Sequence, residues 1–73
     1  MVFIGRMYRH YKGGTYKVIG IGKHSENLED VVVYQALYEN NDIWCRPLSM
    51  WNDIVEYNGK KVKRFELIEE NDG

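Results

Sequence analysis

A single cysteine, Cys45, among 73 residues leaves no partner for an intrachain disulfide. A lone thiol fits a reducing compartment. No apolar run approaches the roughly 20 residues that a membrane span needs. The Met1-Val2-Phe3-Ile4 run is too short for a signal-peptide core, and Arg6 interrupts it. These absences lead us to expect a cytoplasmic protein without a membrane partner. The sequence also lacks a phosphate-cradling loop, a dinucleotide glycine pattern and a G-x-S-x-G elbow. His10, His24 and Cys45 are too scattered for a metal site, which needs three or four convergent ligands. Neither a metal nor a cofactor is expected.

Charge of one sign is missing by segment. From Met1 to Ser25 there is no acid beside Arg6, Arg9, Lys12, Lys17 and Lys23. From Glu26 to Asp42 there is no lysine or arginine beside Glu26, Glu29, Asp30, Glu39 and Asp42. The formal net charge is −1, so bulk attraction to polyanions is not implied. The two segments can pair as neighbouring strands and neutralise one another, or they can present a dipolar surface to a mixed-charge partner.

Aromatic rings are plentiful: two Trp, six Tyr and two Phe. A chain this short buries only about 60% of its unfolded surface, and each buried ring removes roughly 150–250 Å² from water. The rings therefore compensate for small size, and one domain spanning residues 1–73 is expected. There is no room for an enclosed chamber, so a site should be a shallow groove.

No segment keeps a helical apolar period, whereas several alternate as strands do. Arg6 to Lys12 alternates bulky and charged groups, and Gly13-Gly14 supplies the positive φ of a tight turn. Thr15 to Lys23 reads as a second strand, with Gly20 and Gly22 marking a bulge or bend. His24 to Asn27 is a polar loop, Val31 to Tyr38 the strongest strand, and Asn40-Asn41-Asp42 a turn. Ile43 to Leu48 is a short strand that Pro47 confines to a sheet edge or a strand end. Residues 49–53 suit one helical turn. Asn58-Gly59 is the preferred dipeptide of a type I′ hairpin. It sets Tyr57 against Lys60, Glu56 against Lys61, Val55 against Val62 and Asp53 against Arg64. Residues 69–73 form a polar tail expected to fray. About five short strands and ten rings predict an all-β fold: an SH3-like barrel, with an OB-like barrel as the alternative.

Tyr8-Arg9-His10-Tyr11-Lys12-Gly13, Tyr16 and Val18, His24-Ser25-Glu26, Val32-Val33-Tyr34, Leu37-Tyr38, Trp44-x-Arg46-Pro47, Met50-Trp51 and Arg64-Phe65 follow one another in order. In combination they resemble the DUF1653 family, small bacterial proteins or domains of unknown function. The resemblance runs from Tyr8 to about Phe65. Cys45 departs from it, standing where an aliphatic residue such as Val is expected, which makes a catalytic Cys45 less attractive. The resemblance implies a single small β domain and no established activity.

The candidate site residues are Arg9, His10, Tyr11, His24, Glu26, Tyr34, Trp44 and Arg46. On a strand Arg9 and Tyr11 share one side, and Tyr8, His10 and Lys12 the other. A cation beside a ring can hold a phosphate and stack on a base. Equally, one side can be core and the other solvated. His24-Ser25-Glu26 can meet a polar ligand or tie down its own loop. Trp44 and Arg46 share a face, either as a cation–π cover on the barrel wall or as part of a recognition groove. That alternation leaves Ile43, Cys45 and Pro47 on the other face, so Cys45 is expected in the core. Met50-Trp51 should pack into the core. The leading expectation is a non-catalytic module that binds nucleic acid or a nucleotide, with Arg9, Tyr11, Trp44 and Arg46 in front. A peptide- or protein-binding module is the alternative. The third is a small enzyme with His10 or His24 as base. A monomer and a homodimer are both compatible with the sequence.

Overall fold

The computed structural model describes residues 2–69. It contains β1 (Met7–His10), β2 (Thr15–Lys23), β3 (Asp30–Ala36), β4 (Ile43–Pro47), a single 3-10 turn (Leu48–Met50), β5 (Ile54–Tyr57), β6 (Lys60–Lys63) and β7 (Phe65–Leu67). The all-β expectation holds. β1 to β4 and β7 form one antiparallel sheet in the order β4-β3-β2-β1-β7, and β5 with β6 forms a separate hairpin.

The local signals act where the residues place them. Gly13 and Gly14 have φ of +99° and +81° and turn β1 into β2. The β2–β3 register shifts between Val18 and Gly20, which bulges Ile19. Asn58 and Gly59, with φ of 53° and 77°, close the hairpin in the expected register. Just beyond it the Arg64 N–H donates to the Asp53 carbonyl at 2.9 Å. The basic and acidic segments do become neighbours as β2 and β3, and Lys23 reaches Asp30 at 2.6 Å.

Three expectations are corrected. The barrel does not close: β4 pairs only with β3 and is an edge, because no later strand returns to it. Pro47 has no N–H to extend the ladder, and the 3-10 turn that follows swings Trp51 under the sheet. Cys45 is exposed. It pairs with Val33 on the outer face, whereas Trp44 and Arg46 pair with Tyr34 and Val32, which belong to the core. The third strand stops at Ala36, before Tyr38. Of the expected tail, residues 70–73 lie outside the described residues.

Tyr8, Val18, Val32, Tyr34, Trp51 and Phe65 form the core on one face of the sheet. Trp51 is fully buried, as expected, while Met50 beside it is exposed. The Trp51 ring stacks on Phe65 at 4.0 Å with an interplanar angle of 1°. Tyr8 and Tyr34 meet Trp51 edge-on at 5.4 and 5.1 Å. Offset and edge-on ring pairs each contribute about 0.5–1.5 kcal/mol beyond area burial, so this cluster holds together a domain with few aliphatic core residues.

Candidate functional site

The core-side face of the sheet opens towards solvent beside β4. A hollow of about 210 Å³ lies there, lined by His10, Tyr16, Tyr34, Trp44, Arg46 and Phe65. Strand register explains its composition. Tyr34 pairs with Trp44, and His10 pairs with Phe65, and cross-strand partners share a face. Tyr34, Tyr16 and Phe65 pack edge-on at 5.4–5.7 Å, and His10 meets Phe65 at 5.0 Å. These rings form a rigid wall. Trp44 is different: it is 54% exposed, and among the described residues it has no ring partner. A free indole face next to a fixed aromatic wall can accept a planar ligand.

The polar groups of the hollow are all suited to donate. The Arg46 guanidinium lies 5.9 Å from the Phe65 ring centre, so its cation–π partner is Phe65 and not Trp44. Its Nε is buried without a hydrogen-bond partner. The Lys12 N–H donates to His10 Nδ1 at 3.2 Å, which puts the proton of the neutral ring on Nε2. Burial lowers the His10 pKa below its usual 6.5, and the charges of Arg64, Arg46 and Lys12 lower it further. Burial first, and then the cationic neighbours, thus favour the neutral form of the imidazole. No carboxylate lines the hollow. Rings, a guanidinium and a neutral imidazole donor favour a flat ligand rich in acceptors or negative charge.

Of the expected residues the fold thus brings together His10, Tyr34, Trp44 and Arg46. Arg9 and Tyr11 go elsewhere. They line a second hollow of about 420 Å³ with Tyr57 and Lys63, and His10 borders both. Arg9 pairs with Thr15 and Glu66 on the opposite side of the sheet from Tyr8 and His10. The quartet of Arg9, Tyr11, Trp44 and Arg46 does not form one groove. His24 and Glu26 lie in the β2–β3 loop, where the Glu26 N–H donates to His24 Nδ1 at 3.2 Å. The loop is closed by its own bonds, including Glu29 N–H to Asn27 Oδ1 at 2.9 Å.

Tyr16 and Phe65 line the hollow and Tyr38 adjoins it, and none of the three was named from the sequence as a site residue. Tyr16 joins the hollow to a broader one of about 680 Å³ lined by Gly14, Leu37 and Tyr38. Its hydroxyl is hydrogen-bonded to that of Tyr38. Burial, then that bond, raises the Tyr16 pKa to about 12. A signal was available for Tyr16 alone, through its cross-strand position opposite Tyr8 on the core side. Among the described residues, no group of three His, Cys, Asp or Glu is placed to hold a metal ion. No helix among the described residues is long and apolar enough to cross a membrane.

No curated protein matches the chain. A solved protein of the DUF1653 family from Bordetella bronchiseptica is 35% identical, with a TM-score of 0.81 over 90% of this chain and 87% of that one. The family model of DUF1653, a protein of unknown function, matches residues 6–67, and the chain belongs to this family.

Proposed function

We propose that this protein is a non-catalytic binding module whose hollow on the face of β1, β2, β3, β4 and β7 takes one base of a nucleotide or of single-stranded nucleic acid. The supporting observation is the half-exposed, unpartnered Trp44 ring beside Arg46 and the neutral His10 in a hollow without acids. The base stacks on Trp44. Arg46 and His10 Nε2–H bond its acceptor edge or the adjoining phosphate. Stacking on an aromatic side chain contributes about 1–3 kcal/mol per base and tolerates many sequences. The volume suits a single base, so affinity for one nucleotide is modest and a longer strand gains through neighbouring contacts. Lys12 borders two adjoining hollows and can follow the backbone.

Titrating short single-stranded RNA and DNA at low salt, with Trp fluorescence as readout, tests this reading. Trp44→Ala should weaken binding about ten- to hundred-fold, in line with a lost stacking contact. An unchanged signal at millimolar ligand, or equal binding by Trp44→Ala, would exclude it. A protein partner is the second reading, favoured by the exposed edge strand β4.

A further inference from the structure

The free edge of β4 has a geometry that fits a second copy of itself. The Ala36 N–H donates to the Asp42 carbonyl at 2.9 Å. In an antiparallel ladder, hydrogen-bonded and non-bonded pairs alternate. The Tyr34–Trp44 and Val32–Arg46 pairs therefore hold the backbone groups of Trp44 and Arg46 towards β3. The N–H and C=O of Ile43 and Cys45 point outward, away from the sheet. Pro47, also outward-facing, has no N–H to offer. Ile43 is 62% exposed, and Trp44 and Cys45 are exposed beside it. An exposed, mostly apolar edge of this kind is a template for another strand.

The residues along this edge are self-complementary. Asp42, Trp44 and Arg46 alternate on one face, with an acid two residues before the ring and a cation two residues after it. Among the described residues neither Asp42 nor Arg46 makes an ion pair. We infer that two copies associate through antiparallel β4 strands about a two-fold axis at Trp44. In that register Ile43 and the partner's Cys45 exchange both backbone hydrogen bonds, and the symmetric pair does the same, so four outward groups on each copy are satisfied without calling on Pro47. Trp44 faces its symmetry mate, and Asp42 faces the partner's Arg46 twice. Aromatic pairs and opposite charges directly across an antiparallel pair are the stabilising combinations. Moving the register by two residues places Cys45 at the axis and leaves Asp42 without its cation. The contact is isologous and closes at two copies. It joins the two five-stranded sheets into one, with both hollows on the same face and the Trp44 pair as the wall between them.

Sedimentation equilibrium of the ligand-free protein from micromolar to millimolar concentration tests this. The expected result is a monomer–dimer equilibrium that weakens with salt. Asp42→Lys, at an exposed position, should raise the dissociation constant at least ten-fold by setting like charges opposite one another. Ile43→Pro, which removes an outward donor only, should do the same. Mixing Asp42→Lys with Arg46→Glu should restore association, because both cross-strand pairs are again of opposite sign. Amide exchange at Ile43 and Cys45 should slow as concentration rises. A wild-type protein that stays monomeric at millimolar concentration overturns the inference. So does a dimer that both Asp42→Lys and Ile43→Pro leave intact.

Discussion

His10 shows how single residues are tuned by what surrounds them. Its pKa is below 6.5 in the folded chain, first through burial and then through Arg64, Arg46 and Lys12. Between that lowered value and 6.5 the unfolded chain binds more protons than the folded one. Stability therefore rises with pH through this window and falls on acidification. A bound anion reverses the local field and raises the His10 pKa, so the imidazole takes up a proton on binding and phosphate-bearing ligands should bind more tightly as pH falls through the same window. NMR titration of the two imidazoles, with and without nucleotide, checks both statements. Tyr16 behaves in the opposite sense. Its pKa is raised to about 12 by burial and by its bond to Tyr38. The folded state keeps a proton that the unfolded state loses above pH 10, so stability should fall as pH rises from 10 towards 12. Phenolate absorbance followed alongside unfolding would show Tyr16 titrating late; titration near 10 would contradict its environment.

At the scale of elements, the β1–β2 turn joins conformational demand to the site. Gly13 and Gly14 both have positive φ, but only Gly14 is crowded: a Cβ there would lie 3.1 Å from Tyr38 Cε1. Gly13→Ala should cost about 1–2 kcal/mol for the left-handed backbone alone. Gly14→Ala should cost more and should also disturb the Tyr16–Tyr38 pair. Urea midpoints for the two variants give the comparison; equal values would mean that the Tyr38 ring simply moves aside. Turns of this kind were legible in the sequence because they depend on local chemistry. Asn58-Gly59 set the register of an entire hairpin, with Glu56 opposite Lys61 and Val55 opposite Val62. Faces were harder to read. Alternation on β4 divides Trp44 and Arg46 from Cys45, but which side meets the core depends on pairing with Tyr34 and Val32, a long-range fact. Cysteine's usual preference for burial then pointed the wrong way. β7, three residues long, is too short to have a period. Its Phe65 nevertheless floors the hollow, which is why His10, Tyr34, Trp44 and Arg46 of the lining were named from the sequence and Phe65 was not.

The molecule as a whole depends on an aromatic cluster that serves core and site together. Trp51 stacks on Phe65, and the opposite margin of the same cluster lines the hollow. Trp51→Ala should cost about 3–5 kcal/mol. A core of this size rarely supplies more than about 3–5 kcal/mol in total, so that variant should be largely unfolded at 25 °C, as near-UV circular dichroism would show. Trp44→Ala, at an exposed position, should retain the wild-type fold while losing the ligand. This contrast separates the two tryptophans by role. The most direct test of the proposed binding function is a proton–nitrogen correlation spectrum recorded during titration with a short single-stranded oligonucleotide. The expected shifts centre on the Trp44 indole, Arg46, His10, Tyr16 and Phe65, with Arg9, His24 and Glu26 little changed. Shifts confined to the β2–β3 loop or to the face of Arg9, or none at millimolar ligand, would contradict a binding site at Trp44.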